Sequence, residues 1–168
     1  RDRNVYKITN FNPKLGGRLI HMVDLYTDKY GNAVNVHFTV KQFEQSGVSG
    51  IMIEDQVWPK RCGHMKGKNV ITREEATQKI RSAVEAREDP NFVIMSRTDS
   101  FATDGIDEVI NRLKAFESVG SDLLFADALL SLKDMEKVVN NVSKPLAINM
   151  GFGIRSRSTT PLISAQEL

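Results

Sequence analysis

The sequence contains one cysteine, Cys62, in 168 residues. A lone thiol cannot close an internal disulfide, so a secreted fold stapled by disulfides is excluded. Net charge is equally scarce. The 23 Lys+Arg nearly balance 21 Asp+Glu, and a formal charge of +2 offers no field that would make nucleic acid or an anionic membrane the main partner. No apolar run approaches the roughly 18 residues of a membrane span. The opening Arg1-Asp2-Arg3-Asn4 has no apolar leader core. These absences together predict a soluble protein in a reducing compartment, the cytoplasm or the mitochondrial matrix. Short-period repeats and low-complexity tracts are missing too. Core material is not: AVILMFWYC residues make up 40%, enough for a sizeable core and against wholesale disorder.

Apolar runs alternate with helical patterns along the chain. Residues 19–23, 50–53, 92–95, 123–125 and 146–148 are short runs without polar alternation, as expected of strands covered on both faces. Between them lie amphipathic helices. Val36, Val40 and Phe43 recur at helical spacing after Asn35, a candidate N-cap. Thr72-Arg73-Glu74-Glu75 reads as a capping box, with Ile80, Ala83 and Val84 following on one face. Asp104 is a candidate cap for a helix whose face is Ile106, Val109, Ile110, Leu113 and Phe116, and Ser131 with Asp134 opens another with Met135, Val138 and Val139 inward. Strand–helix–strand units of about 30 residues imply parallel strands joined by right-handed crossovers. Both a doubly wound open sheet and a (β/α)8 barrel satisfy that period, which averages about 31 residues per unit in a barrel of about 250. A further capping box, Ser164-Ala165-Gln166-Glu167, ends one residue before the sequence stops. Helix nucleation costs more than one turn returns, so the sequence is expected to be cut from a longer fold, with a chance Ser-x-x-Glu in a tail as the alternative.

Polar residues collect just after the apolar runs. Asp24 and Asp28 come first, then Glu54-Asp55-Gln56, then Ser96-Arg97-Thr98-Asp99, then Asp127 and Asn149. In a parallel α/β fold those strand ends share one face, where sites are built. Any one such residue fits an ordinary wet loop; five successive strands repeating the pattern argue for a pocket. Carboxylates from several strands beside one arginine suit Mg²⁺ or Mn²⁺, which prefer hard oxygen ligands. Lys60-Arg61-Cys62-Gly63-His64 is the most distinctive stretch. Two cations and an imidazole beside a thiol favour the thiolate, which could move a proton or attack a carbonyl; burial as a small apolar side chain is the alternative. Gly63 to Asn69 is one residue too short for a phosphate-binding Walker loop, and Cys62 with His64 cannot build a four-ligand zinc site. Gly151-Phe152-Gly153 lacks a third glycine for dinucleotide binding.

With these residues in place the chain resembles the isocitrate lyase / phosphoenolpyruvate mutase superfamily, in its short-chain lyase branch. The stretches that carry the resemblance are 30–36 (Tyr-Gly-Asn-Ala-Val-Asn-Val), 53–56 (Ile-Glu-Asp-Gln), the Lys60 to His64 loop, 96–99 (Ser-Arg-Thr-Asp), and Asn149 with Thr160-Pro161-Leu162. The resemblance implies an incomplete (β/α)8 TIM barrel of about five parallel strands and four to five helices over residues 30–168. Residues 1–29 match poorly and are expected to be a segment apart that carries the first strand. It implies a Mg²⁺-dependent carbon–carbon lyase that cleaves a 2-methylisocitrate-like 2-hydroxy dicarboxylate to an oxo acid and a carboxylate. Oxaloacetate hydrolysis to oxalate and acetate is the neighbouring reading, and an inactive barrel fragment the third.

Roles follow from the same resemblance. Cys62 is the acid that protonates the leaving enolate, with Lys60 and His64 supporting its loop. Arg97, Asn149, Gly63 and His64 bind the substrate, and Glu54, Asp24, Asp28 and Asp127 surround the metal. Two positions depart from the family pattern. Alignment on Tyr30-Gly31 puts Leu25 and Thr27 where the family has an Asp-x-Asp pair, with Asp24 and Asp28 out of register, and Asp127 stands where the family has Glu. A homotetramer is the assembly implied for the full-length protein.

Overall fold

The computed structural model describes residues 22–25, 32–57, 60–61, 67–149, 161 and 164, with the backbone alone for 22–25. Ten elements alternate along them: β1 (Met22–Leu25), α1 (Ala33–Gln45), β2 (Gly50–Glu54), α2 (Arg73–Ala86), β3 (Val93–Thr98), the short α3 (Phe101–Asp104), α4 (Ile106–Ser118), β4 (Leu123–Ala126), α5 (Leu132–Val139) and β5 (Leu146–Ala147). The strands form one sheet in the order β1-β2-β3-β4-β5, every neighbouring pair parallel. Strictly sequential order is the order of a barrel. A doubly wound sheet reverses direction at a switch point, and none occurs among the described strands.

Strand alternation assigns each residue to a face. Ile51 and Ile53 of β2, Ile94 of β3 and Leu124 of β4 are wholly or almost wholly buried on the side of the helices. They pack with Val36 and Val40 of α1, Ile80 and Ala83 of α2, Leu113 and Phe116 of α4, and Met135 and Val138 of α5. Each such side chain contributes about 1.5–3 kcal/mol by leaving water. The alternate residues, Met52 and Glu54 on β2 and Met95 and Arg97 on β3, stand in register on the opposite face. Gly50 starts β2 because a Cβ there would lie 2.6 Å from the carbonyl oxygen of Val93 on the adjacent strand.

The helix faces read from the sequence are the buried ones, but several boundaries moved: β2 runs on to Glu54 and β3 to Thr98, so Glu54 and Ser96-Arg97-Thr98 lie within strands and not after them. The first helix is capped by Asn32, whose Oδ1 accepts from the amides of Val34 (3.0 Å) and Asn35 (3.3 Å); Asn35 itself lies inside the first turn because Ala33 and Val34 extend the helix backward. Asp104 does not cap α4. It ends α3, and Gly105, at φ +80, turns the chain between the two helices, a conformation that an aspartate cap would not adopt. β1 reaches Leu25, past the end of the 19–23 run, so Asp24 lies within the strand, opposite Met52, and not after it. Thr72 and Ser131 cap as expected, through Glu75 N and Asp134 N. The residues 151–153 and the capping-box residues 165–167 lie outside the described residues. No described helix is long and apolar enough to cross a membrane.

Candidate active site

The ends of β2, β3 and β4 deliver Glu54, Arg97 and Asp127 to one place. Glu54 is the last residue of β2, directly in register with Arg97, which in turn faces Phe125 of β4. Asp127 follows β4, and its amide donates to the carbonyl of Thr98 at 3.1 Å, tying the two strand ends. Ala128 beside it takes φ 58, a left-handed conformation that costs a residue with a Cβ about 1–2 kcal/mol.

Arg97 is the hub. Its Nε donates to Asp99 Oδ2 at 2.8 Å and lies 3.2 Å from Glu54 Oε2. Its Nη2 donates to Asp99 Oδ1 and to Asp127 Oδ2, both at 3.0 Å. The guanidinium carbon sits 5.1 Å from the centre of the Phe125 ring, which supports the cation's flat face. Two lysines from the loop between β2 and α2 complete the group. Lys60 Nζ lies 3.1 Å from Glu54 Oε2, and Lys68 Nζ 3.0 Å from Asp99 Oδ1 and 3.9 Å from Asp127 Oδ2. Three buried carboxylates therefore stand against three cations. Glu54, Asp99 and Asp127 can remain charged out of water only because that balance is met.

The electrostatics follow. Burial opposes the charge of Arg97, but its hydrogen bonds to Asp99 and the charges of Asp99, Asp127 and Glu54 outweigh burial and raise its pKa further. Burial likewise pushes Asp99 up, but Arg97 and Lys68 bring it below the ordinary carboxylate value. Asp127 goes the other way. Burial and the neighbouring charge of Asp99 raise its pKa despite Arg97 and Lys68.

The base of the loop that carries the lysines is pinned by backbone. Gln56 and Val70 form an antiparallel bridge, Val57 N donates to Asn69 O at 2.8 Å, and Ile71 N donates to Asp55 O at 2.9 Å. Gly67 adopts φ +77, and a Cβ there would approach Arg61 Nη1 to 3.2 Å.

A second network stands behind the first, on the helix side of the same strand ends. Asp55 accepts from Thr98 Oγ1 (2.7 Å), from the amide of Asp99 (2.9 Å) and from Arg112 Nη1 (3.0 Å). Arg112 also donates to Glu108 at 2.9 Å, and Glu108 accepts from Arg73 of α2. Burial raises Asp55 to about 6 against the opposing pull of Thr98, Asp99 N and Arg112.

Of the residues singled out from the sequence, Glu54, Lys60, Arg97 and Asp127 are brought together. Asn149 lies just beyond β5 and is exposed. Asp24 has a described backbone only, and Cys62, Gly63, His64 and Asp28 lie outside the described residues. Sequence reasoning did not single out Lys68, Asp99 or Arg112 for the site. Lys68 sat in a stretch dismissed as a failed Walker loop, Asp99 was one of a polar cluster, and Arg112 flanks an apolar helix face. The signal available for Arg112 was a charged residue beside Leu113 on the inward stripe.

Carboxylate oxygens at Glu54 and Asp127 are the hard donors that Mg²⁺ takes, and Mg²⁺ commonly needs only one or two protein carboxylates with water completing its shell. The described residues fit that minimal set. They hold no group of three or more His, Cys, Asp or Glu side chains disposed to hold an ion.

Sequential parallel strand–helix units with carboxylates and an arginine at the strand ends define the chain as part of an α/β barrel. Comparison with known proteins makes the class specific. The phosphoenolpyruvate phosphomutase family matches residues 22–165, and the chain belongs to that family. It is 44% identical over 148 residues to a 2-methylisocitrate lyase of Shewanella oneidensis, covering 88% of this chain and 49% of that protein. It is 41% identical over 139 residues to a 2,3-dimethylmalate lyase of Eubacterium barkeri, covering 83% and 47%. Among solved structures, oxaloacetate acetylhydrolase in complex with 3,3-difluorooxalacetate superposes with a TM-score of 0.77 at 34% identity, over 87% of this chain and 48% of that one. Phosphonopyruvate hydrolase in complex with oxalate and Mg²⁺ superposes with a TM-score of 0.63 at 31% identity, over 76% and 44%. The chain thus spans about half the length of the relatives it matches.

Proposed function

We propose that the protein acts in Mg²⁺-dependent carbon–carbon bond cleavage of a substituted 2-hydroxy di- or tricarboxylate of the 2,3-dimethylmalate or 2-methylisocitrate type. The single observation that carries this reading is the Arg97 hub. A permanently charged, desolvated guanidinium is fixed at the strand ends, and among the described residues its hydrogen bonds run from Nε and Nη2, on the side of Asp99. The Nη1 corner is then the part that a substrate carboxylate or developing oxyanion would take.

In this reading the 2-hydroxyl gives up its proton to water, the bond next to it breaks, the hydroxyl carbon becomes the carbonyl of the oxo acid, and the electron pair passes to the leaving carboxylate's α-carbon. Cys62 delivers a proton there and is left as the thiolate, which solvent reprotonates before the next turnover. Lys60, anchored on Glu54, and His64 hold the Cys62 loop. Gly63, His64 and Asn149 join Arg97 in binding substrate. Glu54 and Asp127 would hold the Mg²⁺, with Asp24 and Asp28 from the β1 end. The metal's chemistry is Lewis-acid polarisation of the substrate oxygen. The homotetramer belongs to the same proposal.

The test incubates the protein with Mg²⁺ and 2-methylisocitrate, 2,3-dimethylmalate or oxaloacetate in turn. Oxo-acid release from either of the first two is expected, and its absence with all three substrates overturns the reading. Oxalate from oxaloacetate alone favours the hydrolase alternative, to which the inhibitor-bound neighbour gives weight. Cys62→Ser is expected to abolish turnover while leaving oxalate binding intact; full activity in that variant removes Cys62 from the mechanism.

A further inference from the structure

We propose that Lys68 and Asp99 form a positioning pair that sets the orientation of the Arg97 guanidinium, and so decides which of its nitrogens faces a ligand carboxylate. This rests on Arg97 binding an anion, as proposed above. Asp99 grips one edge of the guanidinium in a two-point fork, Oδ2 on Nε at 2.8 Å and Oδ1 on Nη2 at 3.0 Å. Asp127 takes Nη2 from another side at 3.0 Å. That leaves two carboxylates converging on one nitrogen, an arrangement their mutual repulsion opposes.

Lys68 resolves it. Its ammonium is 3.0 Å from Asp99 Oδ1 and 3.9 Å from Asp127 Oδ2, the oxygen of each carboxylate that also meets Nη2. The Lys68 side chain is 1% exposed, so it interacts with these charges with little solvent screening. Its approach is fixed by the loop base, where Asn69 O accepts from Val57 N and Val70 bridges to Gln56. The backbone of Asp99 is fixed as well, through its amide on Asp55 Oδ1 at 2.9 Å. With Asp99 held on both sides, the fork has one register on Arg97, and Nη1 is turned outward. Without the lysine charge, Asp99 and Asp127 would separate, and Arg97 would rotate to bring Nη1 onto the carboxylate left without a partner. Lys68 acts through Asp99 and needs no contact with the ligand.

The experiment follows the Arg97 side-chain Nε–H resonance by NMR, assigned by its loss in Arg97→Lys, in the wild type and in Lys68→Met, Lys68→Gln and Lys68→Arg. Lys68→Gln keeps a hydrogen-bond donor of similar size, so the test survives if Lys68→Met does not fold. The expected result is faster exchange of the Arg97 Nε–H, on the order of tenfold or more, with β3 backbone amides still protected. In turnover assays KM rises on the order of 100-fold while kcat changes little, as a misplaced binding group implies. Lys68→Arg restores both. An unchanged Arg97 resonance in the Met or Gln variant, or no rescue by Lys68→Arg, overturns the pair. A shifted resonance in a protein that turns over none of the three substrates supports the pair and overturns the proposed function instead.

Discussion

The strand ends carry two buried ionic networks back to back, and they are built by different rules. The network around Asp55 joins one cation to neutral donors. A threonine hydroxyl and a backbone amide share its carboxylate with Arg112, and every partner belongs to a strand end or helix. The network around Arg97 is charge against charge, and two of its cations, Lys60 and Lys68, come from a loop. Neutral donors satisfy a carboxylate permanently, whereas a charge-balanced cluster keeps strong fields that an incoming anion or cation can enter. The same dipeptide steps produce both: Glu54-Asp55 and Arg97-Thr98 send adjacent residues to opposite faces of the sheet.

The comparison breaks first at its two arginines. Arg112→Met leaves Asp55 and Glu108 without their shared cation and is expected to cost about 3–5 kcal/mol in urea denaturation, with turnover per folded molecule nearly unchanged. Arg97→Lys keeps the charge but loses the fork, and should lower kcat/KM on the order of 10²- to 10³-fold with a smaller loss of stability. If both variants lose stability and activity in the same proportion, the division of labour is wrong.

A pH series sharpens the contrast. Asp55 holds its proton to about 6 in the folded protein against an ordinary 3.8. Between those values the folded state binds more protons, so the contribution of Asp55 to stability falls as pH rises. Asp99 sits below its ordinary value, so its contribution is present above about pH 4 and is lost as pH falls through the folded value. Urea midpoints from pH 3 to 7 should therefore give opposite slopes when Asp55→Asn and Asp99→Asn are each subtracted from the wild type. Matching slopes would contradict the assignment. The smallest effect is expected at Ala128→Gly, which relieves the φ of 58 beside Asp127 and should stabilise by about 1 kcal/mol or less. A loss of activity in that variant would show that the strained turn also aims Asp127.

Much of the fold was legible in the sequence because its signals are local. The Thr72 and Ser131 caps, the inward stripe of Val109, Leu113 and Phe116, and the 30-residue period each depend on neighbours a few residues apart. Boundaries failed where two local signals competed. Asn32 and Asn35 are both good caps, and only the extended ψ of −175 at Asn32 frees its side chain to bond the helix amides. Asp104 lost to Gly105 because the turn there requires a positive φ. Periodicity alone left the open sheet and the barrel open; the family resemblance favoured the barrel, and the strand order agrees with it.

The sequence by itself determined the parallel α/β alternation, the strand-end position of Glu54, Arg97 and Asp127, and the family through its Cys62 loop. Periodicity, capping and motif are all written in contiguous residues. Tertiary structure alone decided that Lys68 and Asp99 brace Arg97, and that Asp55 turns away to Arg112. The contacts from Lys68 to Asp99 and from Asp55 to Arg112 join residues 31 and 57 positions apart. Their partners were settled by which charges had to be neutralised once the packed strands and helices had excluded water.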